Sequence, residues 1–311
     1  MRTRSIGSLR ISVVGLGCNN FGKKLDAAGT ARVVHAALDA GITFFDTADS
    51  YGDTQSEVFL GRALSGRRDK AVLATKFGSK LDGQRHGASP AYVRRAVEDS
   101  LKRLNTDRID LYQLHWPDPA VPIADTLGAL DELVRAGKVR EIGCSNFSAE
   151  QLLEAHRAPE GGAASFASLQ NEYSLLHREP EAEILPLCRK LGIAFIPYFP
   201  LASGMLTGKY RKGQPPPPGS RIAEGRHADL FNAQNLDMVE RLIVFSKARG
   251  HTMLELAFSW LLRKPAVASV IAGATKPEQV KANAAAADWE LSDAELDEID
   301  AMVKAGSCPK P

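Results

Sequence analysis

Four side chains among the first 115 residues carry complementary proton chemistry: Asp46, Tyr51, Lys76 and His115. A tyrosine hydroxyl ionises near pH 10, too high for easy proton transfer at neutral pH, and a neighbouring ammonium lowers that value by stabilising the phenolate. Lys76 would supply the charge, and Asp46 would pair with Lys76 and keep it charged. His115 would donate a hydrogen bond that orients a carbonyl oxygen, and Tyr51 would deliver the proton. The set has no nucleophile, metal cage or hydride source of its own, so its chemistry calls for an organic reductant.

Each of these residues stands at or just beyond the end of a β-rich run. Asp46 closes Thr43-Phe44-Phe45-Asp46, with Tyr51 in the adjacent loop. Lys76 closes Val72-Leu73-Ala74-Thr75-Lys76, and His115 closes Leu111-Tyr112-Gln113-Leu114-His115. One charged strand end reads as a solvated rim residue and one histidine as a structural group. Four on successive strands read as a site, because charge at the end of an apolar strand is costly unless paired or used.

The elements that would position them repeat along the chain. Eight strand-like runs occur at Val13–Gly17, Thr43–Asp46, Ala71–Thr75, Asp110–Leu114, Arg140–Ser145, Ser168–Gln170, Ile193–Tyr198 and Ser269–Ala272. Helical stripes lie between them, such as Val93, Val97, Leu101 and Leu104, or Leu127, Leu130 and Val134. Near-continuous apolar strands alternating with helices predict an α/β fold, a (β/α)8 TIM barrel, as one domain over residues 1–311. All four residues would then face the C-terminal mouth, where this fold places its active sites.

Two additions to a bare barrel are expected. Ile6-Gly7-Ser8-Leu9-Arg10-Ile11 reads as an N-terminal β-hairpin capping the bottom. After strand 7, Arg211 to Asn235 contains four consecutive prolines and little periodicity, so it reads as a long binding loop. The tail closes with a helix introduced by a Ser292/Glu295 capping box.

The 39 Lys plus Arg balance 37 Asp plus Glu to a net charge of +2, without a long basic run, which points away from nucleic acid and membrane surfaces toward a small molecule. Cys18, Cys144, Cys188 and Cys308 are too scattered for a zinc site or a disulfide framework, and a reducing cytoplasm is the expected location. Arg2 and Arg4 ahead of Ile11–Gly17 and Cys18 imitate an export signal, but the apolar run is too short. Val14-Gly15-Leu16-Gly17-Cys18-Asn19-Asn20 imitates a dinucleotide fingerprint. It lacks the third glycine and its acidic partner is too distant, so it reads as a glycine turn after a barrel strand.

Five segments in order resemble the aldo-keto reductase superfamily across nearly the whole chain: Asp46-Thr47-Ala48-Asp49-Ser50-Tyr51-Gly52, the strand-end Lys76, Gln113-Leu114-His115-Trp116, Gly143-Cys144-Ser145-Asn146-Phe147 and Leu169-Gln170-Asn171-Glu172-Tyr173. Asp-Ser-Tyr-Gly and the long loop are more similar to the bacterial and channel β-subunit-like branches than to the mammalian aldose reductase branch. The resemblance implies NADPH/NADP as cofactor and a tetrad of Asp46, Tyr51, Lys76 and His115. It implies that Ser145, Asn146 and Gln170 hold the nicotinamide carboxamide, with Tyr198 stacked under the ring. Leu201, Ser203, Lys209 and Arg221 would form a pyrophosphate belt. Gly273, Thr275, Lys276 and Gln279 would meet the adenosine phosphate at a helix start, and Asn283 the adenine. Phe199 replaces the usual Ser after the stacking Tyr, and Ala282 replaces an acidic residue before Asn283. The implied activity is reduction of an aldehyde or ketone with NADPH, and the implied partner is that small carbonyl compound. The alternative is a cofactor-occupied redox-sensing or regulatory subunit with slow turnover.

Overall fold

The computed structural model describes residues 1–158 and 163–306, with side chains given through Lys304. It opens with an antiparallel hairpin, β1 (Thr3–Ile6) and β2 (Leu9–Ser12). Gly7 turns it with a φ of +52°, where any Cβ would also collide with the Glu141 carboxylate. The Ser8 amide donates to that same carboxylate at 2.7 Å, which fastens the hairpin tip to the barrel wall.

The barrel follows in strict alternation: β3 (Val14–Gly17), α1 (Ala27–Asp39), β4 (Phe44–Asp46), α2 (Gln55–Ala63), β5 (Val72–Phe77), α3 (Pro90–Leu104), β6 (Ile109–Leu114), α4 (Ile123–Arg135), β7 (Val139–Ser145) and α5 (Ala149–Arg157). It continues through β8 (Ser168–Glu172), α6 (Ile184–Leu191), β9 (Ala194–Tyr198), α7 (Ala233–Ala248), α8 (Met253–Leu262), β10 (Val270–Gly273), α9 (Pro277–Ala285) and α10 (Asp293–Gly306). All eight strands from β3 onward pair in parallel, and β10 returns to β3. The remaining seam is drawn together by Phe195 N to Ala266 O at 2.7 Å and Ala268 N to Phe195 O at 2.9 Å, so the barrel is nearly closed.

Local chemistry explains the elements. In α3, Ser89 caps the first turn by accepting from Tyr92 N, Pro90 begins the helix, and Asn105 ends it in the left-handed region. Its buried face is Val93, Val97, Leu101 and Leu104, spaced as one stripe. The Ser292/Glu295 capping box forms reciprocally ahead of α10. Inside the barrel, Ile6, Leu9 and Ile11 of the hairpin pack against Phe44, Ala74, Leu111, Ile196 and Ile271, so the hairpin is the plug expected of it.

Three details differ from the sequence expectation. Two helices, α7 and α8, separate β9 from β10. α7 also starts inside the segment read as loop, because Asn232 caps it by accepting from Asn235 N at 2.9 Å. Gly15 and Gly17 lie within β3 rather than in a turn after it. A Cβ on Gly15 would stand 2.8 Å from both Ile271 and Phe44, so this glycine makes room inside the barrel. Cys18, Cys144 and Cys188 are buried free thiols, while Cys308 lies outside the described residues. No helix among the described residues is long and apolar enough to cross a membrane.

Candidate active site

The C-terminal ends of the strands open into a groove of about 970 Å³, at the upper end of cofactor-pocket sizes. Asp46, Tyr51 and His115 line it, with Lys76 fully buried beneath. Lys76 Nζ donates to Asp46 Oδ2 at 2.7 Å and to Thr47 O at 2.8 Å. It is also within hydrogen-bonding reach of the Tyr51 hydroxyl, with Nζ 5.2 Å from the ring centroid. The second Asp46 oxygen accepts from Gln113 Nε2 at 3.2 Å and from Gln170 Nε2 at 3.0 Å. Gln113 was not singled out from the sequence. It arrives because it pairs in register with Lys76 across β5 and β6.

The electrostatics follow from burial and this ion pair. Burial pulls the Lys76 pKa down, but Asp46 and Tyr51 outweigh it and hold the ammonium above its ordinary value. Burial pushes the Tyr51 phenol up, and Lys76 pulls it back only in part. This corrects the expectation of a net lowered tyrosine: the phenol stays protonated well past neutrality. His115 is driven down to about 3, first by burial and then by Lys76, so it is a neutral imidazole at physiological pH. Its ring meets Tyr51 edge-on at 5.9 Å and lies nearly parallel to Trp116 at 6.0 Å. Trp116 is exposed at the mouth.

Every residue assigned to the cofactor lines the same groove. Asn146 is the organiser at the floor. It adopts φ +62°, donates Nδ2 to His115 O at 2.9 Å, and accepts from the Tyr198 hydroxyl at 2.8 Å. Ser145 Oγ donates to Gln170 O at 2.7 Å. Burial pushes the Tyr198 phenol up to about 12, so that group is a neutral donor.

Farther along, Phe199, Ala202, Ser203 and Gly204 all have positive φ, a backbone that turns amides toward one side. The buried Ser203 Oγ has no partner among the described residues, nor has Asn19 Oδ1, which lines the same groove. A Cβ on Gly273 would stand 3.1 Å from Asn20 Nδ2 and 3.3 Å from Asn19 Oδ1, narrowing the cradle. Arg221 has its pKa lowered by burial and by Arg226, which also lines the groove and was missed from the sequence. Two guanidiniums held together there suit an anion. At α9, Gln279 Oε1 accepts from Thr275 N at 2.7 Å and Thr275 Oγ1 at 3.1 Å, so this side chain caps the turn. Lys276 is exposed beside it, and Asn283 is buried. These features fit an extended, anionic dinucleotide.

The sequence model of the aldo/keto reductase family matches residues 13–304. The chain belongs to this family. Among curated relatives of this aldo/keto reductase, probable aldo-keto reductase 1 from Glycine max is 37% identical over 308 residues, covering 95% of this chain and 86% of the relative. Aldo-keto reductase YhdN from Bacillus subtilis (strain 168) is also 37% identical, covering 95% and 91% of the two chains. Among solved structures, aldo-keto reductase AKR11C1 from Bacillus halodurans in its holo form superposes with a TM-score of 0.81 at 33% identity over 97% of this chain and 96% of that one. The glycerol dehydrogenase AKR11B4 from Gluconobacter oxydans gives 0.86 at 31% identity over 99% and 98%. Members of this family reduce carbonyl compounds with a nicotinamide cofactor.

Proposed function

We propose that this aldo/keto reductase is an NADPH-dependent carbonyl reductase, a single barrel domain acting on an aldehyde or ketone in the cytoplasm with Tyr51 as proton donor. The observation that carries the reading is the fully buried Lys76 ammonium, fixed by Asp46 and within reach of the Tyr51 hydroxyl at the floor of the groove. When bound, the nicotinamide would supply hydride to the carbonyl carbon. Tyr51 is protonated at neutral pH and would give its proton to the carbonyl oxygen as negative charge develops there. Lys76 would stabilise the resulting phenolate, and neutral His115 would orient the oxygen by hydrogen bonding.

Asn146, Ser145, Gln170 and Tyr198 would seat the nicotinamide end. Leu201, Ser203, Lys209 and Arg221 would hold the pyrophosphate, Gly273, Thr275, Lys276 and Gln279 the adenosine phosphate, and Asn283 the adenine. A choice of NADPH over NADH is supported by Lys276, which makes no ion pair among the described residues, at the start of α9. The free thiols of Cys18, Cys144 and Cys188 are compatible with a reducing compartment. The regulatory reading is not favoured, since the relatives and neighbours named above are described as reductases or a dehydrogenase.

The test is NADPH absorbance loss against a broad carbonyl panel. Because one neighbour is a glycerol dehydrogenase, polyol oxidation with NADP belongs in the same screen. Tight cofactor binding without turnover on any member would refute the catalytic reading.

A further inference from the structure

His115 presents a problem that the tetrad alone does not solve. It is neutral, so only one ring nitrogen carries a proton. To orient a carbonyl oxygen, the nitrogen facing the reactant must be the donor. The neighbours of the ring do not secure this: the Lys76 ammonium and the protonated Tyr51 hydroxyl, whose ring meets the imidazole edge-on at 5.9 Å, are both donors and favour a bare lone pair on the imidazole.

Ser79 offers the counterweight. It lies just after β5, with its Oγ 2.9 Å from His115 Nδ1. A ring nitrogen's protonation is set by the hydrogen bond its partner nitrogen makes. A hydroxyl donating to Nδ1 requires a lone pair there and leaves the proton on Nε2, the remaining nitrogen. We infer that Ser79 is a positioning residue that fixes the Nε2–H tautomer of His115 by donating its hydroxyl proton to Nδ1. Two backbone contacts prevent the residue from turning away: His115 N donates to Phe77 O at 2.9 Å, and Asn146 Nδ2 donates to His115 O at 2.9 Å. The tautomer is therefore selected on a residue whose backbone is already fixed. This inference rests on the proposed carbonyl reduction for its purpose, but the tautomer can be measured without turnover.

The experiment is 15N spectroscopy of histidine-labelled, full-length protein with NADP bound, at neutral pH, for wild type, Ser79→Ala and Ser79→Thr. Wild type and Ser79→Thr should show an unprotonated Nδ1 and a protonated Nε2. Ser79→Ala should move the proton toward Nδ1, since the hydroxyl that holds the Nδ1 lone pair is gone. In parallel, Ser79→Ala should lower kcat/KM for carbonyl reduction about 3- to 10-fold, the size of one hydrogen bond, with cofactor affinity unchanged and activity restored in Ser79→Thr. A protonated Nδ1 in wild type, or an unchanged spectrum in Ser79→Ala, overturns the inference. Absence of turnover in wild type alongside the expected spectral changes would overturn the reduction and leave the tautomer assignment supported.

Discussion

Lys76 Nζ and Asp46 Oδ2 meet at 2.7 Å with the two side chains 0% and 3% exposed. Removing two charges from water costs several kcal/mol each and is offset only when every remaining polar position is satisfied. Here Thr47 O takes a second ammonium proton, and Gln113 and Gln170 fill the second carboxylate oxygen. A well-packed apolar pair could join β4 to β5 as firmly. On the proposed function the charges act on the neighbouring phenol, which makes separable demands on stability and on rate.

Tyr51→Phe deletes the proposed proton donor and little else. Carbonyl reduction should fall by at least about 100-fold, the scale of a lost general acid, while NADPH binding persists. Single-turnover kinetics and a cofactor titration on the same preparation check this. Near-normal turnover on the best substrate would reassign the donor.

Lys76→Met should cost roughly 3 to 5 kcal/mol of stability, because Asp46 is left as an unpaired buried charge. Adding Asp46→Asn should recover most of that loss without recovering turnover. Wild-type reduction should be level through neutrality and decline only on the alkaline side, beyond the ordinary tyrosine range, where the raised Tyr51 ionises. Without Lys76 the phenol rises further, so the decline should move out of range while the plateau drops. Denaturant unfolding and pH–rate profiles of the single and double variants decide it. Restored activity in the double variant would show that the pair serves packing.

The strands and the clustering of Asp46, Tyr51, Lys76 and His115 were legible because both are local: apolar runs end in a charged or aromatic residue, and strand order carries those ends to one mouth. Gln113 was not, because its role depends on pairing with Lys76 across two strands. Ser79 depends on the path of a loop, which side-chain type does not encode. The direction of the Tyr51 shift was misjudged because the ammonium is adjacent in the motif logic, whereas burial is a property of the assembled barrel. The start of α7 was missed because Asn232-Ala233-Gln234 reads as polar loop until Asn232 is seen to cap.

Asp49, two residues before Tyr51, is buried with neither carboxylate oxygen hydrogen-bonded, although it approaches the Ser50 amide. Burial first, and Glu57 second, raise its pKa to about 7. An unfolded aspartate ionises near pH 3.9, so between the two values the folded protein keeps a proton that the unfolded chain has released. This contribution to stability is complete below about pH 4 and is lost as pH rises through 7. Asp49→Asn should therefore stabilise the protein at about pH 8, by up to roughly 4 kcal/mol, and change little at about pH 4. Equal effects in urea unfolding at the two pH values would mean that the carboxyl is solvated.

Cofactor choice rests on the start of α9. NADPH would bring a 2′-phosphate to Lys276 and Thr275 at the first turn of the helix, where the helix dipole favours an anion. NADH carries only a hydroxyl there. A charge-assisted contact is worth roughly 1.5 to 3 kcal/mol, and each 1.4 kcal/mol is tenfold in affinity, so NADPH should bind at least about tenfold tighter. Lys276 is exposed, which places this contact at the weaker end of the range. Gln279 Oε1 already accepts from Thr275, so Lys276 would be the principal discriminating charge, with Arg221 and Arg226 contributing from the long loop. Lys276→Ala should weaken NADPH several-fold and leave NADH almost unchanged, and raised salt should erode the wild-type preference in the same direction. Fluorescence titrations of both cofactors against both proteins measure the two effects. Equal weakening of NADH and NADPH would mean that Lys276 supports the turn before α9 instead of reading the phosphate.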